Sequence, residues 1–126
     1  MGESIAVIGA STNREKYSNR AVRAYRAEGY TVYPINPNAE EIEGLKAYAS
    51  VLDVAGEIDL ATLYLPPRWG LSVADAIIAK GIPEVFVNPG AESPELIEKL
   101  EKAGINVIQG CSIIALGRSP SEFEDG

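Results

Sequence analysis

The chain has 126 residues, 46% hydrophobic and 23% charged, a composition typical of one globular domain with its own core. Its formal charge of −7 argues against general nucleic-acid binding, and no run approaches the roughly 20 apolar residues of a membrane span. Histidine is absent, which excludes histidine-based nucleophiles and histidine-ligated metals, and the single Cys111 excludes an internal disulfide. Because no basic segment precedes the first apolar run, we expect a cytoplasmic protein.

The first part of the chain predicts two strands joined by a helix. Residues 4–8 form an apolar run that ends at Gly9, as in strands buried on both faces of a parallel sheet. After a polar loop, Ser18 is the expected N-cap of a helix that extends to about residue 28. Residues 30–35 resemble a second strand, near whose end Pro34 removes one hydrogen-bond donor. This order is that of a βαβ unit.

The later chain repeats the alternation of strand and helix. Ser93 followed by proline and an acid is a favourable helix start. We expect strands at 60–65, 85–87 and 106–109, helices at 69–80 and 94–103, a short strand near 46–47 and a brief helix near 51–53. The pattern predicts an α/β, single-domain Rossmann-like fold, with a mostly parallel sheet and helices on both faces. We expect this domain at residues 1–117 and a loosely held, polar, acidic tail at 118–126.

Ligands of such sheets bind beyond the carboxyl ends of the strands. The segments in those places are rich in glycine, proline, asparagine and small hydroxyls, and poor in carboxylates. They are residues 9–14, 36–38, 66–68, 88–90 and 110–111. We expect all five to face one side of the molecule.

The first of these loops has the features of a phosphate-binding loop. Gly9 permits a tight turn, Ser11 and Thr12 carry hydroxyl donors, and the following helix directs its positive end toward the loop. Arg14, Lys16 and Arg20 add positive charge. The alternative is an ordinary loop in which glycine only makes the turn.

Basic residues are concentrated around this loop in an otherwise acidic chain. Glu15 is the sole carboxylate between residues 14 and 26, where five basic side chains lie. Such a cluster is a candidate anion site. We expect Arg23 and Arg26 to lie on a solvated helix face instead.

The loop differs from the dinucleotide fingerprint. GxGxxG requires glycines where Ser11 and Arg14 stand, and no GK[ST] follows. The second strand ends at Asn36 rather than at the acid that binds the ribose of NAD. An NAD(P)-binding enzyme or sensor therefore stays an alternative, and NADP is not excluded.

Several segments, in their order and spacing, carry a family resemblance. They are residues 5–11, 29–37 and 58–61, the pair Pro66-Pro67, and residues 88–92. Together they resemble the small stand-alone CoA-binding proteins, which are similar to the CoA-binding domain of succinyl-CoA synthetase alpha subunits and ADP-forming acyl-CoA synthetases. The resemblance extends from about residue 5 to residue 111.

The resemblance implies a position for each part of coenzyme A. The diphosphate region would lie on the Gly9-Ala10-Ser11 loop with Asn13 or Arg14, and adenosine would lie beside Asn36-Pro37. Pantetheine would pass Tyr64, Pro66 and Pro67, while Lys16 and Arg20 would contact the ribose phosphate or the diphosphate. The full synthetases use a catalytic histidine in a further domain, and this chain has no histidine. The resemblance therefore implies a non-catalytic binding, carrier or regulatory module for CoA or an acyl-CoA.

Three further expectations concern single residues and partners. Cys111 follows the last strand, where its thiol either meets the CoA thiol or serves as a small buried hydrophobe. Trp69 and Phe86 are expected to be packing residues. A protein-interaction subunit without a ligand is the third functional alternative, and a homodimer or an unidentified protein partner is compatible with the sequence.

Overall fold

The computed structural model describes residues 3–123 and contains seven strands, four α-helices and two 3₁₀ helices in that range. The strands are β1 (Ser4–Ile8), β2 (Thr31–Ile35), β3 (Glu41–Ile42), β4 (Leu45–Lys46), β5 (Leu60–Leu63), β6 (Glu84–Val87) and β7 (Asn106–Gln109). The α-helices are α1 (Tyr17–Ala27), α2 (Pro67–Lys80), α3 (Pro94–Lys102) and α4 (Ser112–Ala115). The 3₁₀ helices are Val51–Asp53 and Pro120–Phe123.

Five strands form one parallel sheet in the order β2-β1-β5-β6-β7. Strand β2 follows β1 in the chain and pairs on one side of it, whereas β5, the next strand of this sheet, pairs on the other side of β1. The strand order therefore reverses between β1 and β5, which is where sheets of this type bind ligands. The predicted Rossmann-like α/β fold is confirmed.

The sheet has a hydrophobic core on each face because successive side chains of a strand point to opposite sides. Ile5 and Val7 of β1 pack on the side of α1 and α4, whereas Ala6 and Ile8 pack on the side of α2 and α3. Pro34 lies in the edge strand β2, where its missing N–H leaves no partner unpaired within the sheet.

Two predicted helix starts are each wrong by two residues. Helix α1 begins at Tyr17, because the Lys16 carbonyl already accepts hydrogen bonds from the N–H groups of Asn19 and Arg20. The expected N-cap Ser18 is buried in the first turn. Helix α2 begins at Pro67 rather than at residue 69, since the fixed backbone angle of proline suits the first helical position.

Three elements are absent from the sequence prediction: strand β3, helix α4 and the 3₁₀ helix Pro120–Phe123. Strand β3 pairs in a small antiparallel hairpin with β4, the short strand that was expected near 46–47. Helix α4 follows β7 directly and packs on α1. Both β3 and α4 are too short for a periodic pattern to be recognisable.

Residues 118–123, which belong to the expected tail, contact the rest of the domain. The Arg118 guanidinium contacts the carboxylates of Glu28 at 2.6 Å and Glu122 at 2.9 Å, and its central carbon lies 4.9 Å from the centre of the Phe123 ring. These contacts hold Pro120–Phe123 against α1. Residues 124–126 lie outside the described residues. No helix within residues 3–123 has the length and apolar character needed to cross a membrane.

Candidate functional site

A cavity of about 520 Å³ opens at the carboxyl ends of β1, β2 and β5. Among its walls are six of the predicted site residues: Gly9, Ala10, Ser11, Lys16, Asn36 and Pro37. Residues that the sequence analysis did not assign to the site complete it, among them Asn38, Leu65, Trp69, Ser72 and Val73. The cavity lies at the reversal of strand order, where the fold class predicts a ligand.

Gly9 makes the turn that opens this cavity. Its φ of +92° lies in the region that favours glycine, and its N–H donates to the Ile35 carbonyl at 3.1 Å. A Cβ atom at this position would lie 3.1 Å from the backbone carbonyl of Tyr64 and from the Leu65 side chain. Glycine is therefore required both for the turn and for the close approach of the β5 end.

The loop after Gly9 is held in shape by its own short-range hydrogen bonds. The Ser11 hydroxyl oxygen accepts from the Asn13 N–H, and the Asn13 side-chain oxygen accepts from the Glu15 N–H, both at 3.0 Å. The Asn13 carbonyl accepts from the Lys16 N–H at 3.1 Å. The loop thus reaches the positive N-terminal end of α1 in a defined conformation.

Asn36 positions this loop. Its side-chain amide donates to the Ala10 carbonyl at 2.9 Å, and its side-chain oxygen accepts from the Asn38 N–H at 2.7 Å. Both ends of the side chain are therefore engaged with backbone. The side chain ties the end of β2 to the loop after β1, and it lines the cavity as well.

Asn19, which the sequence analysis missed, supports the same loop from beneath. Its side chain is fully buried and donates to the Ser11 carbonyl at 2.8 Å and to the Glu43 carboxylate at 3.1 Å. Asn19 stands three residues before the buried Val22, on the same face of α1. A polar residue at a core-facing helical position was the available signal.

The basic cluster divides into structural and cavity-facing members. Glu43, at the tip of the β3–β4 hairpin, accepts from the Arg14 guanidinium at 2.5 Å, and its carbonyl accepts from Arg26 at 2.7 Å. Arg23 donates to the Asn19 side chain and to the Arg14 carbonyl, each at 2.8 Å. Arg26 is exposed, as expected of a solvated helix face, and Arg23 is half-buried; both side chains also bond to neighbouring segments.

The other two basic residues of the cluster lie differently. Lys16 is exposed and lines the main cavity. Arg20 stacks on Tyr17, with its guanidinium carbon 5.1 Å from the ring centre. Lys16 is therefore the member of the cluster that lines the main cavity.

Two smaller cavities extend the main one toward the later strands. One of about 270 Å³ is lined by Lys16, Tyr17 and Tyr64, and one of about 260 Å³ by Tyr64, Leu65 and the Pro66 and Pro89 region. The three cavities are neighbours, because each pair shares one wall residue (Lys16, Tyr64 or Leu65), and together they are called the groove. Five predicted site residues do not line any of the three: Asn13, Arg14, Arg20, Pro67 and Cys111.

A buried polar network lies beneath this groove. The Asn88 side chain donates to Thr62 Oγ1 at 2.6 Å and to the Leu63 carbonyl at 2.8 Å, and it accepts from the Ser112 N–H at 2.9 Å. The Ser112 hydroxyl bonds to Thr62 at 2.8 Å and to the Tyr64 hydroxyl at 3.1 Å. The network joins β5, β6 and the start of α4. Its hydrogen bonds hold Asn88, the first residue of the expected turn at residues 88–90.

Two tyrosines of this region have raised pKa values. Burial raises the pKa of Tyr64 to about 12, and the nearby Cys111 adds to the effect. Burial also raises the pKa of Tyr25, whose hydroxyl donates to the Ser112 carbonyl at 2.7 Å. Both hydroxyls therefore remain protonated near neutral pH, and the bond from Tyr25 to the Ser112 carbonyl requires this proton.

We expect this burial to make the protein sensitive to alkali. Above the ordinary tyrosine pKa of 10.0 the unfolded chain releases the Tyr64 proton while the folded chain retains it, so the free energy of unfolding falls as pH rises from 10 to about 12. Denaturant unfolding at pH 9, 10 and 11 measures the slope. Tyr64→Phe should remove up to about 1.4 kcal/mol per pH unit of it. An unchanged slope in this variant would contradict the assignment.

The structure also bears on the predictions made for three single residues, Trp69, Phe86 and Cys111. The predicted packing role of Trp69 is wrong: 53% of the residue is exposed and it lines the main cavity, whereas Phe86 is buried as predicted. Cys111 is half-buried, packs against the core on the α1 side and precedes the first residue of α4. Within residues 3–123, no three histidine, cysteine or acidic side chains are grouped as a metal site requires.

The parallel sheet, the cavity at its reversal point and the glycine turn leading to a helix N-terminus define a Rossmann-like domain with a candidate phosphate loop. The chain belongs to the CoA binding domain family, whose model matches residues 3–117.

Known proteins similar to this chain include both a ligase subunit and small proteins. The alpha subunit of acetate–CoA ligase (ADP-forming) II from Pyrococcus furiosus is 33% identical over 115 residues, which cover 82% of this chain and 25% of the subunit. The uncharacterized protein YneT of Bacillus subtilis is 28% identical over 109 residues, covering 86% of this chain and 81% of YneT. The structure of a conserved hypothetical protein from Pyrococcus furiosus is 37% identical, with a TM-score of 0.83 over 91% of this chain and 99% of the other.

These relatives differ in the length of their chains. The chain spans a quarter of the length of the ligase alpha subunit and most of the length of YneT. It spans nearly the whole chain of the conserved hypothetical protein from Pyrococcus furiosus.

Proposed function

We propose that this chain binds coenzyme A or an acyl-CoA in the groove at the carboxyl ends of β1, β2 and β5, as a non-catalytic binding, carrier or regulatory module. The observation that carries the proposal is the main cavity, in which the Gly9 loop, the Asn36-Pro37 turn and Lys16 meet. The family match over residues 3–117 and the ligase relatives support coenzyme A as the ligand.

The diphosphate is assigned to the Gly9-Ala10-Ser11 loop. Backbone N–H groups, the Ser11 hydroxyl and the positive end of α1 supply the neutral donors, and Lys16 supplies charge at the cavity wall. Asn13 shapes the loop through its turn, and Arg14 shares its charge with Glu43 at the outer side. We assign Arg20 a supporting role, since it stacks on Tyr17 beside Lys16.

The pantetheine arm is assigned to the two smaller cavities. It would leave the main cavity at Lys16, pass Tyr64 and reach the Pro66-Pro67 segment opposite Pro89. Cys111 lines none of the three cavities, and contact between its thiol and that of CoA stays a prediction. The Pro66-Pro67 end of the groove is the one that would distinguish free CoA from an acyl-CoA.

The first test is a thermal-shift titration with CoA, acetyl-CoA, 3′-dephospho-CoA, NAD and NADP. A ligand that binds only the folded chain, present at 100 times its Kd, stabilises it by about 2.7 kcal/mol. We expect CoA or acetyl-CoA to raise Tm, and NAD and NADP to leave it unchanged. A shift with NAD or NADP alone would support the dinucleotide alternative, and no shift with any compound would support a protein-interaction subunit.

Replacing Lys16 by methionine should weaken CoA binding about tenfold at low salt. The substitution retains the apolar part of the side chain and removes one charge–phosphate interaction at an exposed site. The loss should shrink as ionic strength rises, which calorimetry at 20 and 300 mM salt measures. Lys102→Met, on the exposed end of α3, removes the same charge from the chain and should leave affinity unchanged. Equal effects of the two variants would mean that net charge, not a contact, is responsible.

A further inference from the structure

We propose that Trp69 is the platform on which the adenine base of the bound ligand stacks, an assignment that rests on the CoA-binding function proposed above. Trp69 is the chain's single tryptophan, and it lies in the first turn of α2 with 53% of its surface exposed. An indole of this exposure leaves a large apolar area in water, unless a ligand covers it. Trp69 also lines the main cavity.

The position of Trp69 matches the base end of a nucleotide. Trp69, Ser72 and Val73 are spaced so that they share one face of α2, and all three line the cavity. The Asn36–Asn38 turn after β2 lines it as well. Because β1 lies between β2 and β5 in the sheet, the Gly9 loop lies between these two walls. A ligand with its diphosphate on that loop would have its base in the space that Trp69 and Pro37 both line.

The chemistry of this wall favours a flat, uncharged group. Leu65, Val73 and Ala49 contribute apolar surface, while Asn38 and Ser72 contribute neutral hydrogen-bonding groups. The diphosphate requires charge or backbone N–H groups, and the pantetheine arm has no aromatic face to stack. Adenine is the part of coenzyme A that an indole ring contacts over the largest area.

The backbone that carries the ring is fixed in the first turn of α2. The backbone N–H of Trp69 donates to the Pro66 carbonyl at 3.0 Å, and its backbone carbonyl accepts from the Ser72 hydroxyl at 2.9 Å. The Arg68 guanidinium carbon lies 5.7 Å from the centre of the indole ring, within the range of a cation–π contact. These contacts reduce the entropy that the site loses when a base stacks on it.

Trp69 also provides its own spectroscopic signal. Because it is the chain's single tryptophan, the indole fluorescence of the wild-type protein reports on this ring alone. We expect adenosine 3′,5′-bisphosphate and CoA to quench the emission, and pantetheine, which has no base, to leave it unchanged. Quenching by pantetheine and not by the bisphosphate would place the ring on the other arm of the ligand and overturn the assignment.

Affinities of variants complete the test. By calorimetry, Trp69→Ala and Trp69→Leu should bind adenosine 3′,5′-bisphosphate at least about tenfold more weakly, whereas Trp69→Phe, which retains an aromatic face, should stay within about threefold of the wild type. Ile114→Ala, which removes another exposed apolar side chain outside the cavity wall, should bind as the wild type does.

The outcomes separate the two proposals. If CoA raises Tm but the emission is unchanged and Trp69→Ala binds within twofold of the wild type, the stacking role is wrong and the CoA-binding function stands. If CoA, acetyl-CoA and the bisphosphate all fail to bind the wild-type protein, the CoA-binding function itself is wrong.

Discussion

Gly9→Ala should destabilise the fold by about 3 kcal/mol and lower CoA affinity by at least about tenfold. Alanine at a φ of +92° carries a backbone strain of about 1 to 2 kcal/mol. Its methyl group would also lie 3.1 Å from the Tyr64 carbonyl, a backbone group that cannot move aside without shifting the end of β5. The clash therefore displaces the Gly9-Ala10-Ser11 loop from the groove wall, which links the loss of stability to the expected loss of binding.

Gly29→Ala is the matched control for this substitution. Gly29 has nearly the same φ, +88°, but a Cβ atom there would meet no atom within 4 Å, and it lies at the opposite end of α1 from the loop. It should cost only the strain, about 1 to 2 kcal/mol, and leave CoA affinity unchanged. Thermal unfolding should show the difference as several degrees of Tm at this chain length. If both variants unfold at the same temperature and bind equally, the close approach at Gly9 has no role.

Asn88→Ala should lower the free energy of unfolding by about 3 to 4 kcal/mol. The substitution removes two donors and one acceptor at once, leaving the Leu63 carbonyl and the Ser112 N–H without their partner at a buried site. An unsatisfied buried polar group costs about 1 to 3 kcal/mol, and two are created here. Denaturant unfolding at pH 7 measures the loss.

Asn106→Ala provides the comparison for Asn88. Asn106 is exposed and its side chain bonds to the Glu84 carboxylate at 2.8 Å, where water can replace the lost contact. We expect a change below about 0.5 kcal/mol. A loss of less than 1 kcal/mol for Asn88→Ala would show that water satisfies the network equally well. It would contradict the stabilising role of the Asn88 side chain.

Much of the fold follows from local patterns. The apolar runs at residues 4–8 and 60–63 are strands because a parallel sheet buried on both faces needs no alternation of polar and apolar residues. Ser93 caps α3 as predicted, since its hydroxyl accepts from the Leu96 N–H three residues later. Such contacts lie within a few residues of one another, and therefore the sequence alone contains them.

Residues of the candidate site could be predicted only where a local property of the sequence determines their position. Gly9 could be recognised because a strand-to-helix turn with a positive φ requires glycine. Asn36 followed from the rule that ligands bind at the carboxyl ends of parallel strands, and Lys16 followed from the cluster of basic residues after the first loop. Trp69 was misjudged, because an aromatic residue at a helix start has the same pattern whether its ring faces the core or a cavity.

The class of fold, the family and the loop that opens the site could all be recognised from the order of the residues. How that loop is held became visible only in the folded chain. Asn36 reaches Ala10 across 26 positions, and Asn19 reaches Glu43 across 24. Glu43 also forms an ion pair with Arg14, a residue that the pattern of charges had predicted to contact a ligand. The physical reason is that hydrogen bonds between distant segments depend on which strands become neighbours, and this choice is made by the packing of the whole sheet.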